Sequence, residues 1–399
     1  MGELAGTPPP RRPMWTPVNG KNYSKTEYTP AQLELIWGRI AFYNDGVKSE
    51  RRINPMIIDA NSYWFDERIF TDDALCEQFL AEVPREYNTE GRITTNPAGK
   101  RQIVIEKPAG SPGLNYIEGD YTLEKRLADM DEAGVDKAIL KLPGCHEWMS
   151  LEMCQRFNDG MAADAAASNG RLIPLVAVPP FGTKANLAEL DRRLDEGFAG
   201  VQLCAHYGER YLDDPVFASF FEHLNERGVT AYVHHVPVPV ENASLLAYDN
   251  LRRSYGRCVD QTTAIGREIF GDFFERYPNV RMVHSMLGGA YFAFKEMLLP
   301  HGPKRPDASG RFQVDTETVS ARLEKNIFFD MSHAQPWGST LLACAVEVLG
   351  ADHIVFGTSY PVKREWLTEG VACVNAADVS DEAKRLMLGE TAQRLYNIQ

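Results

Sequence analysis

The stretch RLIPLVAVPPFGTKANLAELDRRLDEGFAGVQLCAHYGERYLDDPVFASFFEHLNERGVTAYVHH, Arg171–His235, decides the fold. It holds three short apolar runs: RLIPLVAVPP from Arg171, AGVQLCAH from Ala199 and VTAYVHH from Val229. Between them LAELDRRLDEG and FASFFEHLNERG carry helical spacing, and each closes on a glycine where a helix should stop. Strand, helix, strand, helix, strand is the pattern of a parallel sheet with its helices outside.

Working outward, the same alternation recurs. PMIIDAN from Pro55 and DKAILKLPG from Asp136 precede the stretch; VRMVHSM from Val280, NIFFDMSH from Asn326 and HIVFGTSYP from His353 follow it. Eight runs predict an α/β protein, a (β/α)8 TIM barrel, with an open doubly wound sheet as the second reading. No GxGxxG follows the first run, which weakens a dinucleotide site.

Two lengths do not fit plain βα units. Residues 1–54 hold a Pro-rich arm and, from Thr29, a leading helix ahead of the barrel at 55–399. Almost 80 residues separate the first run from the second, so 65–118 is read as an inserted subdomain, a small hairpin or flap over the barrel mouth.

The chain is 399 residues, 44% hydrophobic and 24% charged, with 42 basic against 55 acidic residues and a net charge of −13. That suits a folded enzyme and disfavours nucleic acid or an anionic membrane as partner. A cytoplasmic location is the default, since the start lacks the apolar segment of a signal peptide. Seven scattered cysteines without a CxxC pair argue against disulfides and a zinc ribbon, and are read mostly as small buried hydrophobes.

The run ends should ring the barrel mouth, where such enzymes keep their sites. They display Asp59, Asn61 and Tyr63; His206; His234 and His235; His284 and Met286; Asp330 and His333; Ser359 and Tyr360.

LADMDEAGVDKAIL (127–140), GFAGVQLCAHYGERYLDDPVF (197–217), ERYPNVRMVHSMLGG (275–289) and FGTSYP (356–361) resemble the amidohydrolase superfamily. The resemblance, over roughly 55–399, is to the branch of aminocarboxymuconate-semialdehyde and resorcylate-type decarboxylases. It implies a barrel enzyme on small acids, often dimeric, with two metal-binding histidines in a DxHxH motif after the first strand. Here Asn61 and Tyr63 stand at those histidines, and His234 matches a third ligand. Met286 stands where the family has an acid/base histidine, and Ser359 where it has an aspartate.

Asn, Ser and neutral Tyr are poor zinc donors. The expectation is therefore a site with no metal and no cofactor; the alternative is a divalent metal at a site rebuilt around His234 with His206 or His235. His234, Tyr63, His206 and His333 are the candidate catalytic residues, imidazoles moving protons and the Tyr63 phenol facing a developing oxyanion. Asn61, His235, His284, Met286, Ser359 and Tyr360 are the candidate substrate contacts. His284 reads equally as a core histidine, and His235 by strand alternation could face the helices. Asp59 and Asp330 are read as orienting neighbours, His223, His301 and His353 as surface residues, and Arg252, Arg253 and Arg257 as an exposed basic face, with pairing to a substrate carboxylate as the alternative.

The leading expectation is a metal-independent lyase, a decarboxylase of an aromatic or unsaturated oxo or hydroxy acid, working as a homodimer with a small-molecule substrate. The alternatives are a cofactor-free hydrolase, hydratase, isomerase or cyclase, and a non-catalytic binding barrel.

Overall fold

The computed structural model describes residues 55–85, 88–236, 239–241, 243–246, 248–299 and 314–399. The arm and leading helix expected in 1–54, and His301, lie outside the described residues.

The first strand, β1 (Ile58–Tyr63), pairs in parallel with β5 (Lys137–Lys141), which pairs with β6 (Leu172–Pro174). A second parallel sheet runs β7 (Val176–Ala177), β8 (Val201–Cys204), β11 (Thr230–His234), β12 (Arg281–His284), β13 (Ile327–Asp330) and β14 (Ile354–Val355). The third expected run is split into β6 and β7. Leu175 N bonds Leu140 O on one side, and Val176 N bonds Gly200 O on the other. At the far side Ala60 N donates to Phe356 O at 2.8 Å and Tyr63 N to Tyr360 O at 2.7 Å, with a parallel bridge between Ser62 and Tyr360. The molecule is an α/β protein with parallel sheets.

Local chemistry sets the helix ends. The Thr183 hydroxyl caps Lys184–Asp195 by accepting from Asn186 N, and Gly228, at φ 64°, stops Ala218–Arg227 in the left-handed region. One apolar cluster along the parallel strands draws on Ile58, Ile139, Leu175, Tyr232, Val283, Phe328 and Val355. These residues fix which side of each strand faces inward.

Between β1 and β5 the chain builds an antiparallel sheet of three strands, one more than a hairpin: β2 (Glu90–Thr95), β3 (Arg101–Glu106) and β4 (Pro112–Ile117). Its buried face carries Ile103, Ile105 and Tyr116, and the Tyr116 ring stacks on Phe65 at 4.3 Å between centroids. The short strands β9 (His206–Tyr207) and β10 (Arg210–Tyr211) form a hairpin beyond β8. After β12 the backbone makes a left-handed turn, with positive φ from Met286 to Ala290. Gly289 is required there, because a Cβ would sit 2.0 Å from the Cys258 carbonyl oxygen.

Candidate active site

A cavity of about 320 Å³ opens at the C-terminal ends of the strands. Tyr63, Cys204, His234, His235, Met286, His333 and Ser359 line it from the strand ends. The three-stranded sheet contributes Lys107 and Tyr116; Trp148 and Trp366 add further apolar wall.

The floor is an imidazole–phenol pair. His234 Nε2 lies 2.9 Å from Tyr63 Oη, and the His235 ring stacks on His234 at 4.2 Å. Burial pushes both histidines well below the ordinary imidazole range, helped by neighbouring positive charge, so both are neutral at physiological pH. Burial also pushes the Tyr63 phenol up to about 12, which keeps its proton in place. His234 Nδ1 is buried without a hydrogen-bond partner. His235 is held by Ser285, whose hydroxyl lies 3.0 Å from its backbone N and 3.2 Å from Nδ1. His333 lies flat on Trp366, 3.8 Å between centroids and 3° between planes, and burial lowers it to about 4.

Positive charge dominates the walls. Arg252, Arg253, Arg257 and Lys363 all face the cavity, and its one lining carboxylate among the described residues, Glu147, is paired with Lys107. The sequence reading of these arginines as an exposed basic face is corrected. Arg252 is buried, bonding Lys107 O at 3.0 Å and Asp249 at 3.2 Å. Arg257 is half-buried, and desolvation lowers it to about 10, still a cation at neutral pH.

Four of the expected site residues do not line this cavity. His284 is fully buried between Gln261 (3.0 Å) and Glu268 (2.9 Å), because Val283 takes the inward position on β12 and turns His284 toward the helix Gly256–Phe270. His206 is carried off by the β9–β10 hairpin and sits 3.4 Å from Asp260. The Tyr360 hydroxyl donates to Asp129 at 2.6 Å, away from the cavity. Asn61 lies below the floor, donating to Asp330 at 2.6 Å and to the Tyr232 oxygen at 3.0 Å. His353, read as a surface residue, is buried with its ring stacked on Phe328. Asp59 and Asp330 do orient neighbours. Asp59 binds Thr358 and Asn61, and burial raises it to about 6; Asp330 accepts from Asn61, Tyr232 and Ser332.

An amidohydrolase family model matches residues 103–398. The chain belongs to the amidohydrolase family. Among the curated relatives of this amidohydrolase is 2-amino-3-carboxymuconate-6-semialdehyde decarboxylase of Dictyostelium discoideum, 26% identical over 61% of the chain and 66% of that relative. Another is gamma-resorcylate decarboxylase of Rhizobium sp. (strain MTP-10005), 25% identical over 71% of the chain and 92% of that relative. In fold, the amidohydrolase is similar to 5-carboxyvanillate decarboxylase of Novosphingobium aromaticivorans, with a TM-score of 0.66 and 21% identity over 86% of this chain and 96% of that one. The chain is thus an enzyme of the superfamily's decarboxylase-like branch.

That last structure corrects one expectation. It is a complex with manganese, so the family offers precedent for a metal cofactor and not for its absence. In this amidohydrolase no group of three or more His, Cys, Asp or Glu side chains stands where it could hold one ion among the described residues. The donor set does not fit a centre of three such protein ligands, and no residue is assigned as a ligand.

The sequence reading missed Lys107, Tyr116, Glu147, Trp148, Cys204, Lys363 and Trp366 as cavity residues. Only Arg252, Arg253 and Arg257 left a legible signal, a basic cluster inside one loop.

Proposed function

We propose that the protein is a carbon–carbon lyase that decarboxylates an aromatic or unsaturated acid bearing an oxo or hydroxy group beside the carboxylate. One observation carries the reading: a single cavity with aromatic walls holds a cluster of arginines and a neutral His234–Tyr63 pair together. The decarboxylase relatives support it.

The eight strands are taken as a closed (β/α)8 barrel, supported by the hydrogen bonds between β1 and 356–360. The insertion at 65–118 caps its mouth, supported by Lys107 and Tyr116 in the cavity wall. The substrate carboxylate enters toward Arg257 and Arg253, whose charges select an anion. The ring or unsaturated chain lies against Tyr116, Trp148 and Trp366. The oxo or hydroxy oxygen faces the His234–Tyr63 pair, where the protonated phenol and the unpartnered His234 Nδ1 are the polar atoms on offer. Decarboxylation needs that oxygen to exchange electron density with the carbon bearing the carboxylate as that carbon trades CO2 for a proton. Neutral donors in a dry site stabilise such developing charge far more than water does.

The experiment is CO2 release from a panel of hydroxybenzoates and unsaturated oxo acids, with products identified by mass. Loss of CO2 supports the reading. Addition of water to the substrate with all carbons retained would replace it with a hydratase or hydrolase.

A further inference from the structure

Behind the cavity wall lies an arrangement that the His234–Tyr63 chemistry does not use. Cys204, the last residue of β8, lines the cavity, and its Sγ lies 3.1 Å from His146 Nε2. His146 Nδ1 lies 3.2 Å from Gln202 Nε2. The orientation of the Gln202 amide is fixed from outside this chain of contacts. Leu142 N–H donates to Gln202 Oε1 at 2.6 Å, and Gln202 Nε2 donates to Leu142 O at 2.7 Å.

The direction of each contact follows. Gln202 Nε2 can only donate, so His146 Nδ1 accepts and must carry a lone pair. Burial lowers His146 to about 3, so the ring is neutral and its single proton sits on Nε2, facing Cys204. The Nε2–H faces the sulfur, with the Leu203 carbonyl as a further neighbour of the ring, so the thiol hydrogen is not directed at the imidazole. Cys204 is the register partner of His234 on the neighbouring parallel strand, so the two side chains project from the same face of the sheet.

We propose that the Cys204 thiol is a catalytic residue, the acid that protonates the substrate carbon, with His146 and Gln202 as its positioning residues. The proposal rests on the decarboxylase reading. The proton leaves Sγ for the carbon bearing the carboxylate, the new C–H bond is made with a π pair of the ring or chain, and the hydroxy or enolised oxo oxygen at the His234–Tyr63 pair releases electron density to make up the loss. The carbon–carbon bond then breaks, its electron pair returns to the ring or chain, and CO2 departs. The thiolate left behind is held by the His146 Nε2–H and recovers a proton from water entering the emptied cavity. Burial holds the thiol well above its ordinary range, so Cys204 is protonated at the start of each cycle.

The test has a ligand-free arm and a turnover arm. In the protein alone, the infrared S–H stretch assigned by its loss in Cys204→Ala should be that of a thiol not donating to nitrogen, and His146 should show the Nε2–H tautomer by nitrogen NMR. A strongly shifted S–H band, or the Nδ1–H tautomer, overturns the proposal. In turnover of a panel acid, Cys204→Ala should lower kcat about 100-fold with KM nearly unchanged. Cys204→Ser, which keeps a hydroxyl donor, should recover part of the loss and alter the solvent isotope effect. CO2 release unchanged in Cys204→Ala overturns the proposal alone. No CO2 from the wild-type protein with any acid of the panel overturns the decarboxylase reading and this proposal together.

Discussion

Two polar layers sit one above the other at the strand ends, and they differ in what their charged groups bind. In the lower layer Asp330 accepts from Asn61, Tyr232 and Ser332, and Asp59 accepts from Thr358 and Asn61. Asn61 Oδ1 and Lys141 Nζ are buried there without a hydrogen-bond partner, Nζ lying 3.2 Å above the Tyr232 ring. In the upper layer, at the cavity, His234 Nδ1, His333 Nδ1 and Arg257 Nε are buried with no partner. A buried polar group without a partner costs roughly 1–3 kcal/mol. A lower layer whose carboxylates are engaged stabilises the fold, while the unmet groups above border the cavity where a ligand would meet them.

Substitutions in the two layers should have opposite consequences. Arg257→Met should cost activity heavily, about 1000-fold in kcat/KM if it anchors the carboxylate, with the melting temperature nearly unchanged. Asp330→Ala should do the reverse. It strands Asn61 and Tyr232 in a dry interior, and should lower unfolding free energy by about 3–5 kcal/mol, read by denaturant titration. An Asp330→Ala protein as stable as wild type, or an Arg257→Met protein that is fully active, would erase the distinction between the layers.

The histidines in and behind the cavity wall make stability depend on pH. His333 is lowered to about 4 and His146 to about 3, and His234 and His235 are also held low. The unfolded chain takes protons at these rings near pH 6.5, whereas the folded chain does not. Stability should therefore fall as pH drops from about 6.5 toward 4. His333→Gln should flatten part of that slope in thermal melts at stepped pH. The smallest effect belongs to His206→Asn, which removes a side chain outside the cavity. It should change kcat/KM by less than about threefold, as substitutions away from the reacting groups do.

The strand–helix alternation was legible because each run closes on a small or polar residue before a helix with its own cap or stop, as at Thr183 and Gly228. Which strand-end residues belong to the site was legible only where alternation was regular. His234 follows Tyr232 on the inward side, whereas Val283 takes the inward place and turns His284 out. His206 and Tyr360 failed for another reason: a hairpin and a hydrogen bond to Asp129 redirect them after the strand ends. Lys107, Tyr116 and Trp366 come from segments whose placement no local pattern announces. Cys204 read as a small hydrophobe because its partner, His146, lies 58 residues away.

On the proposed reading, an acid loses CO2 in the cavity above the layer of Asp59 and Asp330. The most direct test measures CO2 release in wild-type protein and Tyr63→Phe, a substitution that deletes only the phenolic hydroxyl facing His234. The expected result is CO2 from the wild type, with kcat about 100-fold lower in Tyr63→Phe and an unchanged melting temperature. Equal CO2 release by the two proteins would contradict it.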